Sequence, residues 1–574
     1  MRYLLMALFV VAVALLIPAE ESPSSQPPST PQTSAPERGK PSEVAPAIVI
    51  KATTRMVVLD VTATDRHGNP VTDLKATDFK VLEERHEQRI GTFALEQPVP
   101  SPASPSTSPI VLKLPPDVFS NVKFSQPPRT LNIILLDVLN TTIPNQLYAK
   151  QQMLKYLETM PADQPTAVYM LTRNLRMLQD FTSDPNVLKE AINRLRGYRS
   201  AALDNPTGGQ DKDPIVAPGA AAFIPAEILQ AMEDSEEERS NLQLDQRIKL
   251  NIAVLHEMAK TLAGYPGRKN LIWVSEGFPL HIFSKRTMQD YTEQVQKAED
   301  ALSDSQVAVY PIDAAGLVAF GMDASTAGLD NRGKPLNMGS VMQQQSASMI
   351  DNHFAMNEVA GRTGGKAFYN RNDLDTAIKN SMTDGSTYYM IGYYPSDKNW
   401  NGKFRKIEVK VGRAGVELRY RAGYFATDKQ TYVKDRKARE LDVADALDLA
   451  NPAATALFFT AALTPPSAQT PNKLVVKYNI DVHSIAFEQG DDGLQHADVT
   501  CWLRAFSEQG KPLKMTNQTT VASLKPDTYQ RIMKTAFPCT AEMELPAGKY
   551  LLRFAVRDEH TGLVGTANGK VTIP

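Results

Sequence analysis

Short apolar runs that lead into an acidic residue restrict the fold of this chain more than any other feature of its sequence. In NIILLDVLNTT, residues 132–142, four apolar residues lead directly into Asp137. Runs of the same kind precede Glu276 in LIWVSEG and Asp313 in VAVYPIDAAG. An uninterrupted apolar run bounded by turn residues is typical of a strand that is buried on both faces, as in a parallel sheet.

Helical segments separate these strands. In DQRIKLNIAVLHEMAKTLAG, residues 245–264, apolar side chains recur at spacings of four and three and form one helical face. Strands that alternate with helices predict a doubly wound, mostly parallel α/β sheet, which we assign to residues 129–394. Inside this domain, 197–240 and 317–350 are interpreted as insertions that form long loops. Loops of that length are usually functional or disordered.

Both ends of the chain show the alternating pattern of antiparallel strands instead. At 574 residues the chain is too long for one hydrophobic core. We therefore predict a multidomain protein, α/β plus all-β, in which β-sandwich-like domains flank the α/β domain. The β-rich parts are a small β-domain at 48–96, a β-hairpin extension at 395–426 and a C-terminal β-sandwich at 451–574. The connecting parts are a Pro/Ser-rich tether at 20–47, a Pro/Ser-rich linker at 97–128 and a charged connector at 427–450.

The N-terminus has the organisation of an export signal. Arg2 precedes an apolar stretch, and a cleavage region near Ala19 assigns residues 1–19 to a signal peptide. The protein is therefore predicted to be exported and to be periplasmic, secreted or at the cell surface. The alternative is an uncleaved signal, which would be the contact of the chain with a membrane. A membrane span needs roughly 20 apolar residues, and the stretch here is shorter.

The chain contains two cysteines, Cys501 and Cys539. The alternation of their strands puts both thiols on the apolar faces, with Leu503 and Met543 as neighbours. An oxidising compartment favours a disulfide between them, and the alternative is two unpaired core cysteines.

Charge and motifs exclude several classes of function. The formal net charge is −2 and no basic stripe occurs, so we expect no nucleic-acid partner. GRTGGKAF lacks the glycine and Ser/Thr positions of a phosphate loop, and HEMAK lacks the second histidine of a zinc-protease helix. Because the sequence offers no nucleophile–base pair, we expect that the protein is not an enzyme.

Six pieces of the sequence occur in a characteristic order: VTATDRHGNPVTDLKATDFKVLEE, LLDVLNT, FTSDPNVLKEAI, GRKNLIWVSEGFP, VYPIDAAGL and GYYP…GKFRKIEVKV…GYFA. Their order resembles a von Willebrand factor A domain, and the details are similar to the VWFA-related proteins described from acidobacteria. The resemblance covers roughly residues 48–426.

The resemblance implies that the domain binds protein ligands at its top edge, often through a metal site built from Asp-x-Ser-x-Ser, a threonine and a later aspartate. Asp137 takes the first position of that motif and Thr141 the last, while Glu276 stands near the later aspartate. Leu139 stands where the first serine belongs and offers no oxygen, although Asn140 could replace that oxygen. The site is therefore degenerate. We expect no cofactor, and the alternative is Mg²⁺, Mn²⁺ or Ca²⁺ on Asp137 and Thr141.

The three acids also have simpler roles as alternatives. Asp137 can accept backbone N–H bonds at a helix start without an ion, Glu276 can be a solvated turn residue and Asp313 a turn former. Their joint position favours a shared crevice, because ligands of an open α/β sheet bind beyond the carboxyl ends of its strands.

The predicted function is that of an exported binding or adhesion protein. Its partner would be a protein or a surface polymer of the cell envelope, held at the loop-rich edge of the α/β domain. The residues of that predicted ligand-binding edge are Asp137, Asn140, Thr141, Glu276 and Asp313. The alternatives are a metal-dependent hydrolase that uses the three acids and an inert structural protein of the envelope.

Overall fold

The structure is a computed structural model, and it describes most of the chain from residue 56 onward. The described residues are 56–97, 114–124, 130–161, 164–197, 224–277, 281–283, 288–317, 338–427, 436–464 and 472–573. The predicted signal peptide at 1–19 and the predicted tether at 20–47 lie outside the described residues.

The strands, in chain order, are β1 (Val57–Thr64), β2 (Phe79–Glu83), β3 (His86–Gln88), β4 (Ile90–Glu96), β5 (Val118–Ser120), β6 (Thr130–Asp137), β7 (Thr166–Leu171), β8 (Leu175–Thr182), β9 (Arg268–Ser275), β10 (His281–Phe283), β11 (Met288–Asp290), β12 (Val307–Asp313), β13 (Tyr388–Tyr393), β14 (Phe404–Val411), β15 (Glu417–Arg419), β16 (Gly423–Phe425), β17 (Phe459–Thr464), β18 (Lys473–Ile480), β19 (Glu488–Gln489), β20 (Gln495–Phe506), β21 (Pro512–Leu524), β22 (Phe537–Glu544), β23 (Gly548–Asp558) and β24 (Val564–Ile573).

The helices, in chain order, are α1 (Ile143–Leu157), α2 (Pro185–Asn193), α3 (Ala226–Leu262), α4 (Thr292–Asp304), α5 (Met338–Thr363), α6 (Leu374–Asp384), α7 (Arg436–Ala446) and α8 (Pro526–Ile532). Short 3₁₀ turns lie at Ala76–Asp78 and Val482–Ser484. None of the helices in the described part of the chain combines the length and the apolar composition that crossing a membrane requires.

A five-stranded sheet forms the centre of the molecule, in the order β12-β9-β6-β7-β8. Its first four strands run parallel, and β8 pairs antiparallel with β7. The run that opened the sequence analysis is β6. Ile133 and Leu135 pack into the core on one face of the sheet, and Ile134 and Leu136 pack into the core on the other. The predicted α/β architecture with a mostly parallel sheet is confirmed.

Helices cover both faces of this sheet. One face packs against α3, α4 and α5 through buried residues such as Leu255, Leu302 and Val359. The other packs against α1, α2 and α6 through residues such as Met153 and Ile378. Since both faces are covered, every strand of the parallel part must be apolar on both sides, which explains the uninterrupted runs.

Two antiparallel sheets pack beside the amino ends of the parallel strands, in the orders β15-β1-β13-β4 and β16-β14-β2-β3. Their facing side chains form one apolar cluster that includes Leu59, Val81, Ile391 and Val409. Strands from before and after the α/β segment therefore share a core. From the sequence, the same strands are predicted to belong to three separate parts: a β-domain at 48–96, the end of the α/β domain and a hairpin extension at 395–426.

The interpretation of 395–426 as a hairpin differs from the structure. β14 pairs with β2 and β16, whereas β15 pairs with β1 in the other sheet. The turn at Gly412–Gly415 therefore carries the chain from one sheet to the other. Alternating apolar residues indicate that a segment is a strand, but they do not indicate which strand it pairs with.

The C-terminal part also contains two antiparallel sheets that share an apolar cluster. One sheet has the order β22-β18-β17-β5, and the other has the order β19-β20-β23-β24, with β21 paired to β20. The participation of β5 differs from the prediction of a linker at 97–128, because Val118–Ser120 pairs with β17. The side chain of Asn121, just after β5, donates to the carbonyls of Ala454 and Leu457 at 2.9 and 2.7 Å.

A disulfide joins the two C-terminal sheets. Cys501 of β20 and Cys539 of β22 are bonded, with their Cα atoms 6.6 Å apart and a separation of 38 positions in sequence. Both side chains lie in the apolar cluster between the sheets. The bond therefore connects the two layers through their shared core.

Replacing both cysteines, C501A/C539A, should lower the free energy of unfolding by about 4 kcal/mol, because the crosslink restricts the unfolded chain. Denaturant unfolding with and without dithiothreitol measures the effect. The reductant should bring the wild-type protein to the stability of the double variant and leave the variant unchanged. Equal stability of wild type and variant under oxidising conditions would show that the bond does not stabilise this part.

A buried carboxylate lies where α4 meets α5. Glu299 of α4 is 1 % exposed, and the Nε atom of Arg362 lies 3.2 Å from its Oε2. Burial raises the pKa of Glu299 from 4.5 to about 8, and the charge of Arg362 opposes that rise. The folded protein therefore holds this proton at a pH at which the unfolded chain has lost it.

The free energy of unfolding should consequently fall as the pH rises from about 5 to about 8, by up to roughly 1.4 kcal/mol per pH unit from this group. E299Q should remove that part of the slope and be more stable than wild type at pH about 8. Glu293 lies on the same helix with its side chain 74 % exposed, so E293Q is the matched control. Parallel pH profiles for wild type and E299Q would contradict the assignment.

Candidate functional site

The carboxyl ends of β6, β9 and β12 lie side by side at one edge of the central sheet. The register pairs Leu136 with Val274 and Asp313 with Ser275. Asp137, Glu276 and Asp313 therefore reach the same edge, as the sequence analysis predicts. We call this the carboxyl edge. β7 lies on one side of β6 and β9 lies on the other, so the strand order reverses at the end of β6, where Asp137 lies. Open α/β sheets bind ligands at such a switch point.

Asp137 is completely buried and its carboxylate is surrounded by donors. Its Oδ1 accepts the backbone N–H of Asn140 at 3.0 Å. Its Oδ2 accepts the Asn140 amide at 2.8 Å, the indole N–H of Trp273 at 3.1 Å and the hydroxyl of Ser275 at 3.0 Å. Burial raises the pKa of Asp137, and these hydrogen bonds oppose the rise. The carboxylate is thus an acceptor that organises the turn after β6.

The side chain of Asn140 connects Asp137 to the long helix α3. Its amide donates to the Oδ1 of Asn251 at 2.9 Å, and its own Oδ1 accepts from the Nε of Arg247 at 2.9 Å. Arg247 is 6 % exposed. Burial lowers the pKa of Arg247, while the charges of Asp137 and Glu276 raise it. A buried guanidinium therefore lies among the acids of the carboxyl edge.

Glu276 caps helix α1. Its carboxylate accepts the backbone N–H of Thr142, the residue before α1, and the side-chain amide of Asn145 at 2.7 Å. A carboxylate there satisfies free N–H groups and complements the positive end of the helix. Gly277 has φ +112°, and a side chain on it would collide with Asn352. That glycine lets Asn352 donate to the carbonyl of Glu276 at 3.3 Å.

Asp313 forms a separate pair with a histidine. Its Oδ2 lies 3.0 Å from the Nε2 of His353 on α5, and its Oδ1 accepts the backbone N–H of Ala315 at 2.9 Å. Burial raises the pKa of Asp313. The imidazole of His353 stacks on the ring of Tyr369, with the ring centroids 4.1 Å apart. Each of the three acids is therefore held by its own set of partners.

The residues present do not fit a resident divalent cation. Asp137 has no exposed surface, and donors occupy both of its oxygens. The hydroxyl of Thr141 is buried and has no hydrogen-bond partner among the described residues, so it offers one oxygen. Within the described ranges, no three His, Cys, Asp or Glu side chains are grouped as metal ligands. Magnesium, manganese and calcium require several open oxygens, and the positive charge of Arg247 opposes a second cation.

Apolar side chains are exposed around the carboxyl edge. They lie at the start of α1, just after β12 and on the turn of α5 that carries His353: Ile143 (38 % exposed), Leu147 (49 %), Leu317 (58 %), Ile350 (64 %) and Phe354 (64 %). We call these five residues the apolar rim. Contiguous exposed apolar patches are typical of protein contact sites, and the segments that carry these five residues meet at the carboxyl edge.

Hydrogen bonds hold the segments that carry the rim. The hydroxyl of Tyr148 on α1 donates to the carbonyl of Asn372, and the side chain of Asn372 accepts the N–H of Leu317 at 2.9 Å. Through Asn352 and His353, α5 contacts the ends of β9 and β12. The rim is thus carried on connected segments at one edge.

Sequence reasoning missed Arg247, Asn251 and His353. Asn251 carries a usable signal, because it lies three positions after Ile248 and four before Leu255, within the apolar face of α3. A polar residue at a core position of a helix usually has a buried partner. Arg247 lies four positions before Asn251 and so shares its side of the helix. His353 carries no comparable signal.

The two predicted insertions are partly helical, which differs from their interpretation as loops. α3 begins at Ala226 and α5 at Met338, so 226–240 and 338–350 belong to helices, while 198–223 and 318–337 lie outside the described residues. The stretch AEILQAMEDSEEERS contains good helix formers and no glycine or proline. The stretch lacks a sustained apolar face, so apolar periodicity does not mark it as a helix.

Several solved structures are similar to part of this chain. One is an aerotolerance-related membrane protein from Bacteroides fragilis NCTC 9343, which is 13 % identical and has a TM-score of 0.24. The aligned region covers 44 % of this chain and 98 % of the neighbour. Proximal thread matrix protein 1 from the mussel byssus, with a zinc-occupied MIDAS motif, is 10 % identical over 47 % of this chain and 49 % of its own, with a TM-score of 0.21.

A von Willebrand factor type A protein from Catenulispora acidiphila is 12 % identical over 63 % of this chain and 80 % of its own, with a TM-score of 0.18. The neighbours thus include the family that the sequence resembles. The TM-scores of these three structures are below 0.5, so the similarity carries no information about the function of this chain. No family model and no curated protein matches the sequence.

Replacing Asp137 by asparagine should destabilise the protein by roughly 3 kcal/mol. Both Asp137 oxygens accept hydrogen bonds, so the NH₂ group of asparagine would point at another donor whichever oxygen it replaced. Denaturant unfolding measures the change. Asp184 is the matched control, since it caps α2 by accepting from the N–H of Asn186 at 2.8 Å and asparagine can do the same. If D137N costs no more than D184N, Asp137 is not held as an obligatory acceptor.

Proposed function

We propose that this chain is an exported binding protein that engages a protein of the cell envelope through the carboxyl edge of its α/β domain. The observation that carries the proposal is the apolar rim, five large apolar side chains that are exposed around the switch point of the sheet. Apolar and aromatic anchors dominate the affinity of protein interfaces, whereas charged groups at their rims contribute little.

The state of the acids supports binding rather than catalysis. A general acid or base must reach a substrate. Here Asp137 is enclosed by donors, Glu276 caps α1 and Asp313 is paired with His353. Their carboxylates hold the strand ends, the α1 start and α5 together, so that the surface above them keeps its shape.

We propose export on the basis of the N-terminal sequence, and the disulfide between Cys501 and Cys539 supports it. Disulfides persist in oxidising compartments outside the cytoplasm. We propose that the paired sheets beside the α/β domain are β-sandwiches, that they act as spacers, and that the α/β domain is of the von Willebrand factor A type found in acidobacteria.

The rim is tested by affinity capture from an envelope extract of the producing organism, with the full chain as bait. I350S/F354S should lose a partner that wild type retains, because both side chains are 64 % exposed and their removal leaves the core unchanged. We expect at least a tenfold loss, since two apolar anchors contribute more than 1.4 kcal/mol together. Quantitative mass spectrometry of the captured proteins measures it.

The matched control is L513S/V521S. These side chains are 51 % and 70 % exposed on β21 of the C-terminal part, far in sequence from the carboxyl edge. The control should capture the partner as wild type does. Equal capture by all three proteins would overturn the proposal, and loss with the control alone would move the binding surface to the C-terminal sheets.

A further inference from the structure

We infer that the guanidinium of Arg247 takes the place of the divalent cation that the resemblance to von Willebrand factor A domains implies. In this protein the carboxyl edge would carry its own cation, held by α3, and would need no metal ion. The inference concerns the charge balance of the edge, and its consequence for partner binding rests on the proposed function.

The first argument is geometric. Arg247 reaches Asn140, which follows Asp137 in the turn after β6, and Asn140 uses its whole amide group to join β6 to α3. The Nε of Arg247 lies 2.9 Å from Asn140 Oδ1, the oxygen that would have replaced the missing serine ligand. That oxygen therefore faces a cation of the chain itself.

The second argument is the charge that burial requires. Asp137 is fully buried and Glu276 is half-buried, and two carboxylates in such surroundings need a compensating positive charge. Arg247 interacts electrostatically with both of them. A guanidinium suits this role because it stays charged when buried and donates in several directions. A divalent cation beside it would be repelled.

The third argument is the condition of the oxygens. A metal that bridges protein and ligand needs open coordination positions, and Asp137 receives four hydrogen bonds from protein donors. Releasing those oxygens for a metal would break the hydrogen bonds that the indole of Trp273 and the hydroxyl of Ser275 donate to Asp137. Both oxygens of the Asp137 carboxylate therefore have hydrogen-bond partners without an ion.

Metal independence changes how the edge recognises a partner. Where a bound metal ion has an open coordination position, an acidic side chain of the partner can occupy that position. With the charge supplied internally by a buried arginine, recognition falls to the apolar rim. Binding should then be insensitive to chelators and depend weakly on salt, because apolar contacts carry it.

The wild-type protein provides the first test. Purified full chain should contain no stoichiometric metal by elemental analysis, and its thermal unfolding midpoint should be the same in EDTA and in millimolar Mg²⁺, Mn²⁺ or Ca²⁺. A ligand that binds the native state raises the midpoint. A midpoint that rises with one of these ions and saturates at one equivalent would overturn the inference.

The second test removes the cation. R247M keeps an apolar chain of similar length and should unfold several degrees below wild type, because Asp137 and Glu276 lose their compensating charge. K249M is the matched control on the same helix: Lys249 pairs with Asp245 at 2.8 Å, and its side chain is 60 % exposed. That variant should unfold within about a degree of wild type, since exposed pairs contribute little. Equal midpoints for R247M and K249M would overturn the role of Arg247.

Capture of the partner with EDTA separates this inference from the proposed function. Retention in EDTA supports both. Loss in EDTA of a partner that depends on the apolar rim would overturn metal independence and leave the proposed function standing. Failure to capture any rim-dependent partner, with wild-type unfolding indifferent to metals, would overturn the proposed function and leave the internal cation standing.

Discussion

A buried carboxylate at the switch point of the central sheet is the constraint on which the rest of the site depends. Asp137 ends the middle strand of the sheet with no exposed surface. Leaving such a group without partners would cost several kcal/mol, which is a large part of the free energy of unfolding of a typical domain. The indole of Trp273 and the hydroxyl of Ser275, both from β9, and Asn140 from the following turn meet that requirement.

Satisfying this one group determines its surroundings. Asn140 is needed by Asp137, and it in turn positions Arg247 and Asn251 of α3. Glu276, one residue past β9, is then free to cap α1. The acids at the ends of β6, β9 and β12 are thus used internally, and the five apolar side chains of the rim are exposed around them. A surface of this composition suits contact with a protein more than coordination of an ion.

The chain that surrounds the site is built from segments distant in sequence. β1 pairs with β13 and β2 pairs with β14, although more than 300 residues separate the partners. The α/β segment therefore lies between two halves of one pair of sheets, which fixes both of its ends. In the C-terminal part, β5 pairs with β17 across a similar separation. Such pairings close long loops, and local sequence patterns carry no information about them.

Much of the candidate site was predictable because it depends on local rules. A strand–acid–turn pattern places Asp137, Glu276 and Asp313 at strand ends, and parallel strands bring their ends to one edge. The role of each acid was less predictable. The sequence analysis offered Asp137 as a helix cap and Glu276 as a solvated turn residue, whereas Glu276 caps α1 and Asp137 organises the turn before it.

The sequence by itself determined the buried strands of the α/β domain, most of the helices between them and the edge at which the acids meet, since apolar periodicity and turn residues act within a few positions of the chain. Only the tertiary structure decided that an arginine from α3 and a histidine from α5 reach those acids. The rotation of a helix against a sheet depends on how both surfaces pack, and a single side chain placed by that packing has no local signature. The charge of the site is therefore a property of the fold.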